Sequence, residues 1–346
     1  GPNFALMLAA TARIGAIAVP VSTMIRANEL VRVLRQSDIH GLVVQRSVLG
    51  HDIPARLCDA LDGLRDAAAT DLRLAQAPYL RWIVSDGSDL PPAVHGPGFL
   101  TEAAASVSKA LLHEIESEVH ETDQMVEIYT SGSMALPKGV RHNHGPVLYR
   151  THTMRRMTGL APGVEKAAIL PMFWIGGLMM YLMPNLSAGA VTVCTERTMS
   201  NSRMAMGSVL SEDDLKVLSA APKPWWGLGM SETLGPYSWG DDFRAPGYPV
   251  CAPMDHFAEG YEIRIADEDN RPVEDGEIGE MQVRGYPVTP GLHKVERAGY
   301  FTPDGYYRTG DMCLVEQRPE GTRVHFVGRD GDMIKTAGSN VSPAEV

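Results

Sequence analysis

One stretch of the chain concentrates groups suited to an anion: Tyr129-Thr130-Ser131-Gly132-Ser133-Met134-Ala135-Leu136-Pro137-Lys138-Gly139. Hydroxyl donors and backbone N–H groups freed by glycine suit a polyphosphate, and a lysine neutralises its charge. The spacing is not that of a Walker A loop, because Lys138 is followed by Gly139 rather than by Ser or Thr. Taken alone, the segment also fits a Ser/Gly surface loop. Three further blocks follow it. Trp226-Gly227-Leu228-Gly229-Met230-Ser231-Glu232-Thr233 sets a hydroxyl beside a carboxylate after two glycines. Tyr306-Tyr307-Arg308-Thr309-Gly310-Asp311 and Gly328-Arg329-Asp330-Gly331-Asp332-Met333-Ile334-Lys335 add an acid and a base. Singly, these residues read as a helix-capping serine, a turn aspartate and a surface arginine.

The elements that must position these blocks change character along the chain. In the first half helix and strand alternate. Residues 4–14 are helix-like, Gly15 stops them, and Ala16–Val19 reads as a strand. A second helix takes Asn28 as its N-cap and lines Leu30, Val31 and Leu34 along one face, Gly41 closes it, and Leu42–Val44 is the next strand. Residues 84–124, rich in Pro, Gly, Ser and acids, read as surface connection. A strand over Met125–Tyr129 leads into the first block. Alternating units with continuous apolar strands predict an α/β fold, mostly parallel sheets with helices on both faces. In the second half the period falls to two: Tyr261–Ile265, Glu280–Arg284, Met312–Val315 and Val324–Val327 alternate around Pro/Gly/Asn turns. That pattern predicts a smaller antiparallel β subdomain.

Composition narrows the function classes. The 346 residues amount to roughly two domains' worth of chain, enough to bury about three quarters of the unfolded surface. With 31 Lys+Arg against 42 Asp+Glu the net charge is −11, and no basic run offers a footprint for nucleic acid. The four cysteines, Cys58, Cys194, Cys251 and Cys313, have no C-x-x-C spacing and read as thiols of a reducing, cytoplasmic compartment. The longest apolar run, Ala167 to Met183, is 17 residues broken by Pro171 and Gly176-Gly177, short of the ~20 a spanning helix needs. No transmembrane span or targeting segment is expected, and a homo-oligomer is left open.

Four such blocks in this order resemble the adenylate-forming superfamily: acyl-CoA synthetases, peptide-synthetase adenylation domains and firefly luciferase. The resemblance runs from near residue 3 to the last residue. It implies that Thr130, Ser131, Gly132 and Ser133 with Lys138 form the flexible loop around the β- and γ-phosphates of ATP. It implies that Glu232 holds Mg2+, that Ser231 lies near the α-phosphate, and that Gly229 and Met230 belong to the same nucleotide site. Asp311 would accept hydrogen bonds from the ribose hydroxyls, Arg329 would stand on the other side of the ribose, and Gly207 and Ser208 would lie beside the adenine. Thr130, Lys138 and Glu232 are the expected catalytic residues. The reaction implied has two steps: a small-molecule carboxylic acid attacks the α-phosphate of ATP, and the thiol of coenzyme A then displaces AMP from the acyl adenylate.

Within Pro171-Met172-Phe173-Trp174-Ile175-Gly176-Gly177-Leu178, Trp174 stands where amino-acid-activating relatives carry an aspartate. That favours an acid lacking an α-amino group, with Trp174, Gly176 and Gly177 expected along an apolar acyl pocket. A buried Met-rich core helix with Trp174 as packing is the plainer alternative. The chain also departs from the family. Leu228 replaces the aromatic that usually stacks on adenine, Met134 replaces a smaller residue, and Gly331 occupies the hinge position. Only 13 residues, Cys194 to Met206, separate Val193 from Gly207, where relatives insert a helix, a strand and more helix. The expected organisation is a large adenylation domain over 1–328 (an α/β part to about 240, then the β subdomain over 241–328), with a hinge and the start of a lid over 329–346. The family's N-terminal portion and the lid's catalytic lysine have no counterpart, so weak turnover is expected. An amino-acid-activating adenylation domain and a non-catalytic adenylate-binding remnant are the alternatives.

Overall fold

The computed structural model of the chain describes residues 1–130, 137–194, 225–241, 253–329, 334–336 and 339–341. Two compact units divide it: Ala5–Tyr129, and Gly1–Phe4 together with Thr130–Val346.

In the first unit, strand Gly41–Val44 pairs in parallel with Trp82–Ser85, Gly41 opposite Trp82 and Val44 opposite Ser85. Helix Ala27–Gln36 precedes the first of these strands, and helix Ile53–Ala60 lies between the two in sequence. Leu34, Leu57, Leu61, Leu64, Leu80 and Ile83 form the centre of one core, each at most 1% exposed. The helix predicted to start at Asn28 is instead capped at Arg26, whose backbone N–H donates to the Glu29 carboxylate at 3.1 Å. It ends at Gln36, so Gly41 is not its stop signal. A Cβ on Gly41 would lie 2.0 Å from the Trp82 ring, and close approach to that indole is what the glycine permits. Ala16–Val19 supplies one bridge, Ala18 to Val126, rather than a strand. The stretch expected to be mere connection carries helices Gly98–Ala105 and Lys109–Ser117, neither of which buries a residue. Ser108 caps the second, its Oγ accepting from Leu111 N at 3.1 Å.

The second unit begins with further α/β structure. Strands Glu165–Ala168 and Val191–Cys194 pair in parallel, and helices His144–Thr158 and Met183–Ala188 belong to the same part. The glycine pair does not interrupt the apolar run: helix Ile175–Gly177 continues through a π segment, Leu178–Leu182, into helix Met183–Ala188, and the helical stretch begins only after Pro171. Among the described residues no helix is long and apolar enough to cross a membrane. The period-two segments form one antiparallel meander, in the order Tyr261–Ala266, Ile278–Gly285, Tyr307–Arg318, Gly321–Arg329. Its inner face, with Met281, Val283, Tyr307, Cys313 and Val324, packs on Leu228, Tyr237 and Met254 to make the second core.

Candidate functional site

The meander positions the acid–base pair. Between the pairings Gln282↔Arg308 and Glu280↔Met312, residues Thr309–Asp311 face the single residue Met281. Gly310 absorbs this bulge at φ +71°, a left-handed conformation that costs glycine nothing. Thr309 Oγ1 donates to the Met281 carbonyl at 2.6 Å and accepts from Asp311 N at 3.0 Å. Asp311 lies opposite Arg329 on the neighbouring strand, and Arg329 Nε donates to its Oδ1 at 2.8 Å. Burial alone would lower the Arg329 pKa, but the Asp311 carboxylate, reinforced by Glu232, raises it above its ordinary value. The guanidinium therefore stays charged, and Asp311, 3% exposed, stays paired.

The Ser231-Glu232 pair sits on a hairpin so tight that its strands are two residues each, Gly229–Met230 against Gly235–Pro236. A Cβ on Gly229 would approach the Pro236 backbone to 2.4 Å, so the hairpin itself requires this glycine. Ser231–Thr233 form a single 3-10 turn. Leu234 closes it at φ +53°, an unfavourable conformation for a side-chain residue that its complete burial offsets. Donors from elsewhere in the unit reach each turn carbonyl. His142 Nε2 donates to Ser231 O at 2.6 Å, Thr289 N to Glu232 O at 2.7 Å, and Tyr261 Oη to Thr233 O at 2.6 Å. The Glu232 side chain is half-buried, and its Oε1 accepts from the Tyr307 hydroxyl at 2.9 Å. Burial and the facing Glu232 carboxylate raise the Tyr307 pKa far above its ordinary value, so this phenol remains a donor.

Lys138 starts strand Lys138–Asn143, with Nζ 4.5 Å from the centre of the Tyr300 ring, and Thr130 ends strand Gln124–Thr130. Met230 precedes the turn and packs partly on the second core. Ser131, Gly132, Ser133, Met134, Gly207, Ser208 and Gly331 lie outside the described residues, as does most of the short stretch before Gly207. Leu228 is 3% exposed within the second core, which accounts for an aliphatic residue there. Trp174 is half-buried and packs edge-on against Phe173 at 5.7 Å. Gly176 and Gly177 have a packing reason of their own: a Cβ on Gly177 would sit 2.0 Å from the Pro171 carbonyl oxygen, and one on Gly176 2.9 Å from Leu170 Cδ1.

Two residues given no role by sequence reasoning join the site. Tyr307 shares the strand face of Thr309 and Asp311, all three buried, so the alternation that identified the strand also marked it. His142 carried no such signal, because nothing in its own strand indicates that residues 89 positions later lie against it. Burial lowers its pKa from 6.5 to about 4, against a smaller raising effect of the Ser231 carbonyl. The unfolded chain then takes up a proton near pH 6.5 that the folded one refuses until about pH 4. Stability from this histidine is therefore whole above pH 6.5 and falls as pH drops toward 4, by up to about 3 kcal/mol. Urea unfolding at pH 7, 5.5 and 4.5 is expected to show a shallower fall in H142Q; parallel curves for both proteins would refute it.

A divalent cation held together with phosphate oxygens needs one or two carboxylates from the protein rather than an all-protein cage. Glu232 fits that demand, because among the described residues only Tyr307 hydrogen-bonds its carboxylate, on one oxygen. Set beside known proteins, residues 1–225 match the AMP-binding enzyme family, and the chain belongs to that family. Its fold is that of adenylate-forming enzymes: ATP-bound MatB from Rhodopseudomonas palustris aligns over 99% of this chain and 69% of its own, with TM-score 0.68 at 20% identity. The indoleacetate–CoA ligase of Aromatoleum aromaticum is 24% identical over 387 residues, 100% of this chain and 70% of that protein. Triostin synthetase I of Streptomyces triostinicus is 47% identical over 87 residues, 25% of this chain and 16% of that protein. The 387-residue alignment is longer than the 346-residue chain, so the ligase carries internal segments with no counterpart here.

Proposed function

We propose that the chain activates a hydrophobic carboxylic acid with ATP to an acyl adenylate, releasing pyrophosphate, and passes the acyl group to the thiol of coenzyme A, releasing AMP. The observation that carries this reading is the convergence of Glu232, Tyr307, Asp311 and Arg329, from three separate blocks, into one hydrogen-bonded and electrostatically coupled group. Attack of a carboxylate on a phosphorus needs charge stabilisation and in-line positioning more than a covalent protein group. In this reading Glu232 holds Mg2+, which draws charge from the phosphates when bound. Lys138, with Thr130, Ser131, Gly132 and Ser133, neutralises and cradles the β- and γ-phosphates. Asp311 accepts from the ribose hydroxyls while Arg329 holds its other side in place. Gly229, Met230 and Ser231 line the α-phosphate side, Gly207 and Ser208 the adenine side, and Gly331 serves as hinge.

The whole of 1–328 then acts as one adenylation domain. The CoA-ligase relative supports acyl transfer to a thiol, and Trp174 in place of an acid supports a substrate without an α-ammonium group. The peptide-synthetase similarity favours the amino-acid reading over 25% of the chain only. The test is thermal unfolding of this chain with Mg2+·ATP, then with non-hydrolysable acyl-adenylate analogues of graded chain and ring size. A ligand at 100 times its Kd adds about 2.7 kcal/mol, a shift of a few degrees. A shift that grows with one class of acyl group is expected. Dependence on an α-amino group would select the amino-acid reading, and no shift with any analogue would refute nucleotide activation altogether.

A further inference from the structure

Two buried polar side chains lie against the Ser231-Glu232 turn and belong to neither the phosphate nor the ribose contacts. His142 is fully buried, and its Nε2 donates to the Ser231 carbonyl at 2.6 Å. A carbonyl only accepts, so the proton sits on Nε2 and Nδ1 is an acceptor. That Nδ1 is buried with no hydrogen-bond partner among the described residues. The unpaired Nδ1 is a cost of placing a donor here, set against the acceptor that would be orphaned without it. What the histidine adds is its grip on the residue before Glu232. From the other side Tyr307, 5% exposed and packed edge-on against Phe301 at 5.3 Å, donates to Glu232 Oε1. One group thus fixes the backbone that carries the carboxylate, and the other fixes the carboxylate's rotation.

Resting on the assignment of Glu232 to the metal, we propose that His142 and Tyr307 are positioning residues. They form a two-sided clamp that leaves a single Glu232 oxygen for the cation. Neither carries a nucleotide contact in this reading, so they act through Glu232. Loss of groups that orient a metal ligand typically weakens metal-dependent binding ten- to a hundredfold.

The test compares binding of Mg2+·ATP with binding of AMP in metal-free buffer, by titration calorimetry on the full chain. Y307F removes one oxygen and keeps the ring, H142L removes the donor, and H142Q restores a donor of similar reach. Y307F and H142L are each expected to weaken Mg2+·ATP binding about tenfold while AMP binding stays within about twofold, with H142Q recovering most of the loss. If either Y307F or H142L leaves the ratio of the two affinities unchanged, the clamp is wrong. An equal loss for both ligands also overturns it, since that marks a merely structural role. E232Q separates this from the reading beneath it. If E232Q leaves Mg2+ dependence intact, the metal assignment itself fails; if E232Q abolishes it while Y307F and H142L do not, only the clamp fails.

Discussion

Asp311→Ala is expected to weaken AMP binding about 100-fold and to lower stability by about 2–3 kcal/mol. Two bonds from ribose hydroxyls to a carboxylate are each worth roughly 1.5 kcal/mol or more, which together give that factor. The stability loss comes from the other partner. Asp311 is 4% exposed and Arg329 23% exposed at their side chains, and their 2.8 Å pairing is the carboxylate contact of that guanidinium. Removing one member of a fully buried pair costs about 3–5 kcal/mol; partial solvent access to Arg329 trims this. Asp311→Asn separates the two effects. It keeps one acceptor for the ribose and a shape that fills the strand, but not the charge. Its expected AMP affinity lies between wild type and the alanine variant. Calorimetry and urea unfolding read the two quantities independently. A D311A protein that binds AMP at wild-type affinity would remove Asp311 from the nucleotide site.

Gly177→Ala is expected to destabilise the second unit by about 3 kcal/mol, whereas Gly176→Ala costs about 1 kcal/mol or less. The added methyl at 177 meets the Pro171 carbonyl oxygen at 2.0 Å, and a backbone atom has nowhere to move. At 176 it meets the tip of Leu170 at 2.9 Å, which a rotamer change relieves. Thermal unfolding of both variants measures the contrast. Equal, small losses paired with a changed preference among acyl-adenylate analogues would make pocket lining rather than packing the reason for both glycines.

The meander was legible because period two survives in the sequence: Tyr307, Thr309, Asp311, Cys313 and Val315 all face inward as written. The four chemical blocks were legible because each is contiguous. What the sequence hid is contact between distant segments. His142 reaching Ser231, Thr289 reaching Glu232 and the Trp82 ring lying over Gly41 are pairings of residues 41 to 89 positions apart, with no local trace. Local rules also misassigned ends. Asn28 is a good cap type, yet the Glu29 side chain already satisfied the N–H of Arg26, and the helix started there. Glycine was ambiguous throughout. Gly41 reads as a helix stop but sits under the Trp82 ring, and Gly176 and Gly177, which read as pocket lining, also have a packing reason of their own.

The hairpin that carries Glu232 has four residues between its last paired positions, Ser231 to Leu234, and its first three carbonyls are each held by a donor from another segment. Such a loop is constrained in length as well as in lettering. The Thr233 side chain is itself part of the loop, its Oγ1 accepting from Met230 N at 3.2 Å and donating to the Gly235 carbonyl at 2.9 Å. One inserted or deleted residue would move every held carbonyl at once, orphan the donors and swing the carboxylate off the strand that bears Asp311. Among divergent copies of this chain, and in libraries built from it, spacing across 229–236 is therefore inherited as strictly as Gly229, Glu232 and Thr233 themselves.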